Sequence, residues 1–324
     1  MIIIIILLVI TIYLVKYYTN KTNEENIEKI INKVKSDLEL NKKLSSSIEI
    51  INNDIKYIID NNVNQHFNEM VTYALKDGKR LRMIIGYSIV KKLNPNIKSK
   101  HLRNLNVIEL IHNASLIIDD LMDNDYYRRC NETVFYKYGL SKSLLVTFEI
   151  LVVSIELMNN INNYLLKNNN GIHSNKLLKI VKKKIKNLID GQYLDLIFDK
   201  KDKSNKIINI LEGKTASLFE LVFIMSWLLG KGDNNKINEI NKIAKYFGLV
   251  YQIYDDFIDY YQDKNKNLNY LINYGIDNGY FDFHKYYRIV VKLLKENNIY
   301  TDEINIILEY LKNVVEETYY YIKY

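Results

Sequence analysis

Proline and cysteine are nearly missing. The 324 residues include one proline (Pro95), one cysteine (Cys130), five histidines and 11 glycines. A lone cysteine closes no internal disulfide, and Cys130 sits beside a charged motif in no metal-ligand spacing. Its isolation excludes a disulfide scaffold and a thiolate zinc module, and it fits a reducing compartment. With so little proline and glycine, no stretch reads as a flexible linker between two halves. The chain is therefore expected to be one folded domain, residues 21–324, behind an N-terminal segment, residues 1–20. A chain of this length removes roughly three quarters of its unfolded surface from water, enough for a large core. Charge of one sign is also scarce. Lysine and arginine total 45 against 38 acids, a formal charge of +7, and the two signs alternate, as between Asn26 and Lys43. Such a surface gives little support to nucleic-acid binding. The heavy use of Ile, Asn, Lys and Tyr, including Asn168 to Asn170, reads as coding bias.

One long apolar run is present at the start, MIIIIILLVITIYLV, followed by Lys16 and Lys21. A spanning helix needs about 20 apolar residues, so this one reaches only with Tyr17 and Tyr18 at the interface. It reads either as a membrane anchor or as the core of a cleaved leader, the latter lacking a basic start and a clear cleavage site. Length favours the anchor, and the location reads as membrane-associated or organellar.

Beyond residue 20 apolar positions recur at three and four, as in Ile27, Ile30, Ile31, Val34 and Leu38, and alternating runs are scarce. The pattern predicts an all-α antiparallel bundle. Its helices fall near 26–43, 46–76, 79–93, 102–123, 141–159, 174–200, 205–230, 235–262 and 283–322.

Two acidic motifs interrupt this apolar periodicity. LIIDDLMDND carries Asp119, Asp120, Asp123 and Asp125; QIYDDFIDYY repeats the spacing with Asp255, Asp256 and Asp259. Carboxylates one helical turn apart project together and repel unless cations compensate them. An all-oxygen donor set suits a hard ion, and Mg²⁺ characteristically shares its shell between a few carboxylates, water and substrate phosphates. Cationic residues stand where a phosphorylated substrate needs them. These are Lys79, Arg80 and Arg82 in DGKRLR at a helix start, Arg128 and Arg129 in YYRRC, and Lys214 with Thr215 in EGKTASLFE. Each alone is ordinary surface chemistry.

In order along the chain, GKRLR, ELIHNASLIIDDLMDNDYYRR, GQYLDL, GKTASLFE and YQIYDDFIDY resemble the trans-polyprenyl diphosphate synthases, the family of farnesyl, geranylgeranyl and longer-chain synthases. The resemblance covers about residues 70–265. It implies a helical bundle around a central apolar cavity, a homodimer, and three Mg²⁺ ions. Asp119, Asp123 and Asp255 then resemble ligands, supported by Asp120, Asp256 and Asp259. Lys79, Arg82, His112 and Arg129 resemble the isopentenyl diphosphate pocket. Arg128 and Lys214 would hold the allylic diphosphate, with Thr215 and Gln252 assisting. Asp119, Asp123, Asp255, Arg128 and Lys214 are the implied catalytic set. Ala114 and Ser115, both small, precede Asp119 by a turn, and Ile111 and Ile108 lie deeper. In the family an aromatic at the first two positions stops growth early, so a product of geranylgeranyl length or longer is implied.

The chain departs from the family pattern in two places. RRCNET stands where the family commonly has RRGxPT, and no Gly-Lys element follows Asp259. A class I terpene cyclase would share the first acidic motif, but it commonly has an Asn/Ser/Glu motif second and needs no isopentenyl pocket. A regulatory subunit of a heteromeric synthase would tend to lose an acidic motif, and both are present here. A purely structural membrane-tethered bundle would not explain the ordered series.

Overall fold

The computed structural model describes residues 24–76, 78–128, 131–168, 172–197, 213, 216–261 and 269–323. The chain divides into two units, Met1–Leu44 and Ser45–Tyr324. The described part of the first is helix α1 (Glu24–Lys43), whose Glu39 and Lys43 pair across one turn at 2.7 Å. Residues 1–20, read above as an anchor or leader, lie outside the described residues.

The second unit is helical. Its main elements are α2 (Ser45–Asn62), α3 (Asn68–Leu75), α4 (Leu81–Leu93), α5 (Val107–Asp123), α6 (Val134–Tyr138) and α7 (Leu140–Asn168). They continue as α8 (Ile172–Leu196), α9 (Ser217–Leu229), α10 (Ile237–Ile258), α11 (Tyr270–Tyr274), α12 (Ile276–Glu296) and α13 (Asp302–Lys323). A small antiparallel hairpin follows α5, with β1 (Tyr127–Arg128) and β2 (Asn131–Glu132) pairing Tyr127 with Glu132 and Arg128 with Asn131.

Helix α9 is the axis of the bundle. Every residue of SLFELVFIMSWLL is buried, the signature of a helix surrounded on all sides, and α4, α5, α7, α8 and α10 pack around it. Close approach to α4 depends on Gly86. A Cβ there would lie 2.8 Å from Leu105 Cδ2 and 3.0 Å from Ser226 Oγ, closer than side-chain atoms pack. The pairings set directions. Arg82 meets Phe219, Gly86 meets Val222 and Ser226, and Leu93 meets Gly230, so α4 and α9 run parallel. Arg82 meets His112 and Gly86 meets Leu105, so α5 runs antiparallel to them. Phe223 meets Phe247 and Phe219 meets Tyr251, so α10 does the same. The C-terminal ends of α5 and α10 therefore share the pole where α4 and α9 begin.

Several boundaries differ from the periodicity. The helix expected over 46–76 breaks at Asn64, whose backbone is extended (φ −60°, ψ 135°) and whose carboxamide accepts from the His66 N–H. Asparagine competes for backbone donors in this way and favours caps. The helix expected over 283–322 is two, starting earlier at Ile276 and broken after Glu296. Asn298 takes a left-handed turn (φ 55°) and Ile299 enters the core. Conversely, the helix expected to stop at 159 continues to Asn168 through its asparagines, because Ile161 and Leu165 extend the buried face. Most of the segment expected as helix before Ser217 lies outside the described residues.

Candidate active site

Both acidic motifs occupy the last turns of their helices, and Asp259 is the C-terminal cap of α10. That is the negative end of the helix dipole, where added carboxylates are unfavourable unless cations stand nearby. At α5 the hairpin supplies one. Arg128 donates from Nε to Asp120 Oδ1 at 2.6 Å and from Nη2 to Asp119 Oδ2 at 3.2 Å. Burial pushes the Asp120 carboxyl above its usual value; Arg128 pulls it back, and Asp119 and Asp125 push it up again. Burial opposes the charge on Arg128, but Asp120, Asp119 and Asp125 outweigh it and hold the guanidinium protonated. Gln192, near the end of α8, donates to Asp119 Oδ1 at 2.7 Å. Asp123 is exposed.

At α10, the buried Asp256 has both oxygens engaged. Gln252 donates to Oδ1 at 2.9 Å, and the Tyr270 amide donates to Oδ2 at 2.7 Å. Asn269 adds a bond to the Asp256 carbonyl at 2.8 Å, so this aspartate fastens the start of α11 to the end of α10. Asp255 and Asp259 are half-buried at the same helix end.

A cationic pocket joins the two motifs. Arg82 lies over the rings of Phe219 (4.8 Å) and Tyr251 (5.6 Å), and its Nη1 is 3.3 Å from His112 Nε2. A guanidinium can only donate, so in this contact the His112 nitrogen is the acceptor. One residue thus touches α5 a helical stretch before Asp119 and α10 one turn before Asp255. Arg82 Nε is buried without a hydrogen-bond partner among the described residues, a donor position an anion would satisfy. Lys79 donates to the Tyr310 hydroxyl at 3.2 Å, and Tyr310 meets Tyr254 at 2.8 Å. The C-terminal helix therefore enters the pocket.

Arg80 does not join it. Its backbone is left-handed (φ 55°), which turns the side chain inward, where Nη1 pairs with Glu109 at 2.7 Å and Nε donates to Asn52 at 3.0 Å. Both partners of the ion pair are about 5% exposed. The expectation that Arg80 faces a diphosphate is corrected: it braces the turn that presents Lys79 and Arg82.

Ile108, Ile111 and Ala114 lie on the buried face of α5. Ser115 is half-exposed and donates to the His112 carbonyl at 2.7 Å. Arg129, Lys214 and Thr215 fall outside the described residues.

A family model described as polyprenyl synthetase matches residues 64–269. The chain belongs to the polyprenyl synthetase family. It is 28% identical over 234 residues to a hexaprenyl pyrophosphate synthase of Saccharolobus solfataricus, covering 72% of this chain and 74% of that one. To a farnesyl diphosphate synthase of Buchnera aphidicola it is 31% identical over 215 residues, covering 62% and 69%. The solved geranyltransferase of Legionella pneumophila superposes with a TM-score of 0.72 at 20% identity, covering 87% of this chain and 99% of that one, a likeness of fold. This polyprenyl synthetase family member is thus a prenyltransferase of all-α architecture.

Sequence reasoning had no role for Gln192, Tyr310, Glu109 or the Asn269–Tyr270 clamp. Gln192 lies in GQYLDL, a motif noted only for its order; Tyr310 lies in a segment without motifs and joins the site by tertiary packing alone.

Proposed function

We propose that this prenyltransferase is an elongating, Mg²⁺-dependent synthase that condenses isopentenyl diphosphate with an allylic diphosphate into a trans-polyprenyl diphosphate of geranylgeranyl length or longer. The observation that carries the reading is Arg82, seated between both aspartate helices with an unsatisfied donor.

The donor set fits the metal. Asp119 and Asp120 pair with Arg128, and carboxylates gathered at a helix C-terminus favour cations beside them. Mg²⁺ relies on phosphate and water for much of its shell, so a few carboxylates from each motif suffice. In the proposal Asp119, Asp123 and Asp255 ligate three ions, with Asp120 and Asp259 in support and Asp256 holding the helix end. Bound Mg²⁺ supplies charge neutralisation to the departing diphosphate.

The protein's own groups do the rest. Lys79, Arg82, His112 and Arg129 bind and orient isopentenyl diphosphate. Arg128 and Lys214, helped by Thr215 and Gln252, hold the allylic diphosphate while its C–O bond breaks. His112 and the rings of Phe219 and Tyr251 fix Arg82 in place. The apolar interior below α5 keeps water from the allylic cation. Released diphosphate takes the final proton.

Incubating the purified protein with isopentenyl diphosphate plus farnesyl or geranylgeranyl diphosphate, and separating dephosphorylated products by chain length, tests this. Elongated alcohols with Mg²⁺ and none in EDTA are expected; a hydrocarbon formed without isopentenyl diphosphate would instead support a cyclase. Ala114→Phe is expected to shift the distribution by one or more five-carbon units toward shorter products. Unchanged lengths in a folded variant would remove Ala114 from the channel.

A homodimer belongs to the same proposal. Along α7, Leu144, Leu145, Phe148, Leu151, Val152 and Ile155 are exposed, while Glu149 and Glu156 turn away to bond Asn64 and Asn62. A charge-free stripe on a helix packed into its own bundle suits a second copy of the chain across a two-fold axis. Phe148→Glu with Ile155→Glu is expected to yield monomers by sedimentation; an unchanged assembly would exclude this face. Membrane association through residues 1–20 is likewise proposed, in a membrane-associated or organellar setting.

A further inference from the structure

The pole opposite the aspartates holds a second basic cavity. There α4, α7 and α9 end, and with α2 and residues 94–104 they border an open hollow of about 880 Å³ whose lysines face solvent. Arg82 and Asn94 are twelve residues apart along α4, which sets this cavity about 18 Å from the catalytic pocket.

Its charge is of one sign. Lys98, Lys100, His101, Arg103, Lys167 and Lys231 line it, with no aspartate or glutamate. Arg103 is neutralised by Asp54 at 2.8 Å and lies on the Tyr57 ring. Among the described residues none of the four lysines makes an ion pair. Four ammonium groups around one concavity add their fields, and a multiply charged anion meets them together. Three of them act on a common point: burial first, then Lys100, Lys98 and Lys167, hold the His101 imidazole below its usual pKa, and the ring packs at a tilt against Tyr164 with centroids 4.4 Å apart. Between the lysines the carboxamides of Asn61, Asn96, Asn160 and Asn163 supply neutral N–H donors. A carboxylate would engage one lysine; a phosphorylated group with several charged oxygens engages several at once.

We propose that this cavity is a second, non-catalytic binding site for a phosphorylated anion, either a free diphosphate or the phosphorylated headgroup of a lipid. Lys98, Lys100, Lys167 and Lys231 take the charge, and the asparagines bond the remaining oxygens. The site does not rest on the proposed reaction.

Calorimetric titration of the full chain with inorganic diphosphate in EDTA tests it. Three proteins are compared: wild type, Lys98→Glu/Lys100→Glu/Lys167→Glu, and Arg82→Gln. A parallel arm measures co-sedimentation with phosphatidylcholine vesicles with and without phosphatidylinositol 4-phosphate. The triple variant is expected to bind about tenfold or more weakly, and wild-type binding to weaken with salt. Arg82→Gln should keep the site, and the triple variant should keep the wild-type melting temperature and prenyl-transfer turnover. Loss confined to the diphosphate arm assigns a free anion; loss confined to the vesicle arm assigns a headgroup. No binding in either arm, equal affinity of the triple variant in both arms, or loss in Arg82→Gln alone would overturn the proposal.

Discussion

Replacing Asp119 or Asp255 by alanine is expected to lower kcat by about 10³-fold, the scale seen when one electrostatic contributor to a transition state is removed, with little change in melting temperature. The two positions should behave alike although they come from separate helices, because α5 and α10 bring their carboxylates to one pole. Neither side chain is part of the apolar core, and in Asp119→Ala the Arg128 guanidinium keeps Asp120 as a partner at 2.6 Å. Raised Mg²⁺ should partly rescue each variant, a response that a folding defect would not give. Full activity in either variant would remove that residue from the metal set.

The second large effect concerns stability. Glu109→Leu leaves the Arg80 guanidinium buried without its counterion, and such a loss costs about 3–5 kcal/mol. For a chain of this size that lowers the melting temperature by about 5 °C. Arg80→Leu should cost a similar amount, since it strands Glu109 and also removes the bond to Asn52. The pair also separates two roles for DGKRLR. If Arg80 bound diphosphate, Arg80→Leu would raise KM at an unaltered melting temperature, and Glu109→Leu would be silent. The expected pattern is a matched thermal loss in both, with any KM change following from the displaced Lys79 and Arg82. Thermal unfolding beside steady-state kinetics decides between these patterns.

Where the sequence was legible, the reason is local. Asp119 and Asp123 stand one turn apart on an apolar helix, and that spacing alone predicts clustered carboxylates. Periodicity likewise found α4, α5, α9 and α10, the four helices that frame the catalytic pole. It failed where a short-range asparagine interaction outcompetes the helix, as at Asn64 and Asn298, because an apolar pattern does not register a side chain bonding its own backbone. Arg80 was misread for a related reason: its left-handed backbone, invisible in composition, reverses the direction of the side chain. Gln192 and Tyr310 reach the site across 73 and 56 residues of chain, to Asp119 and Tyr254 respectively. No window along the sequence contains such a pairing.

The grip of Asp256 on the Tyr270 amide and of Asn269 on the Asp256 carbonyl has a mechanical corollary. Severing it, as in Asp256→Ala, unfastens the first residues of α11 from the end of α10 and removes a carboxylate at the same time. Any loss at this position therefore mixes anchorage with charge, unlike a loss at its neighbour Asp255.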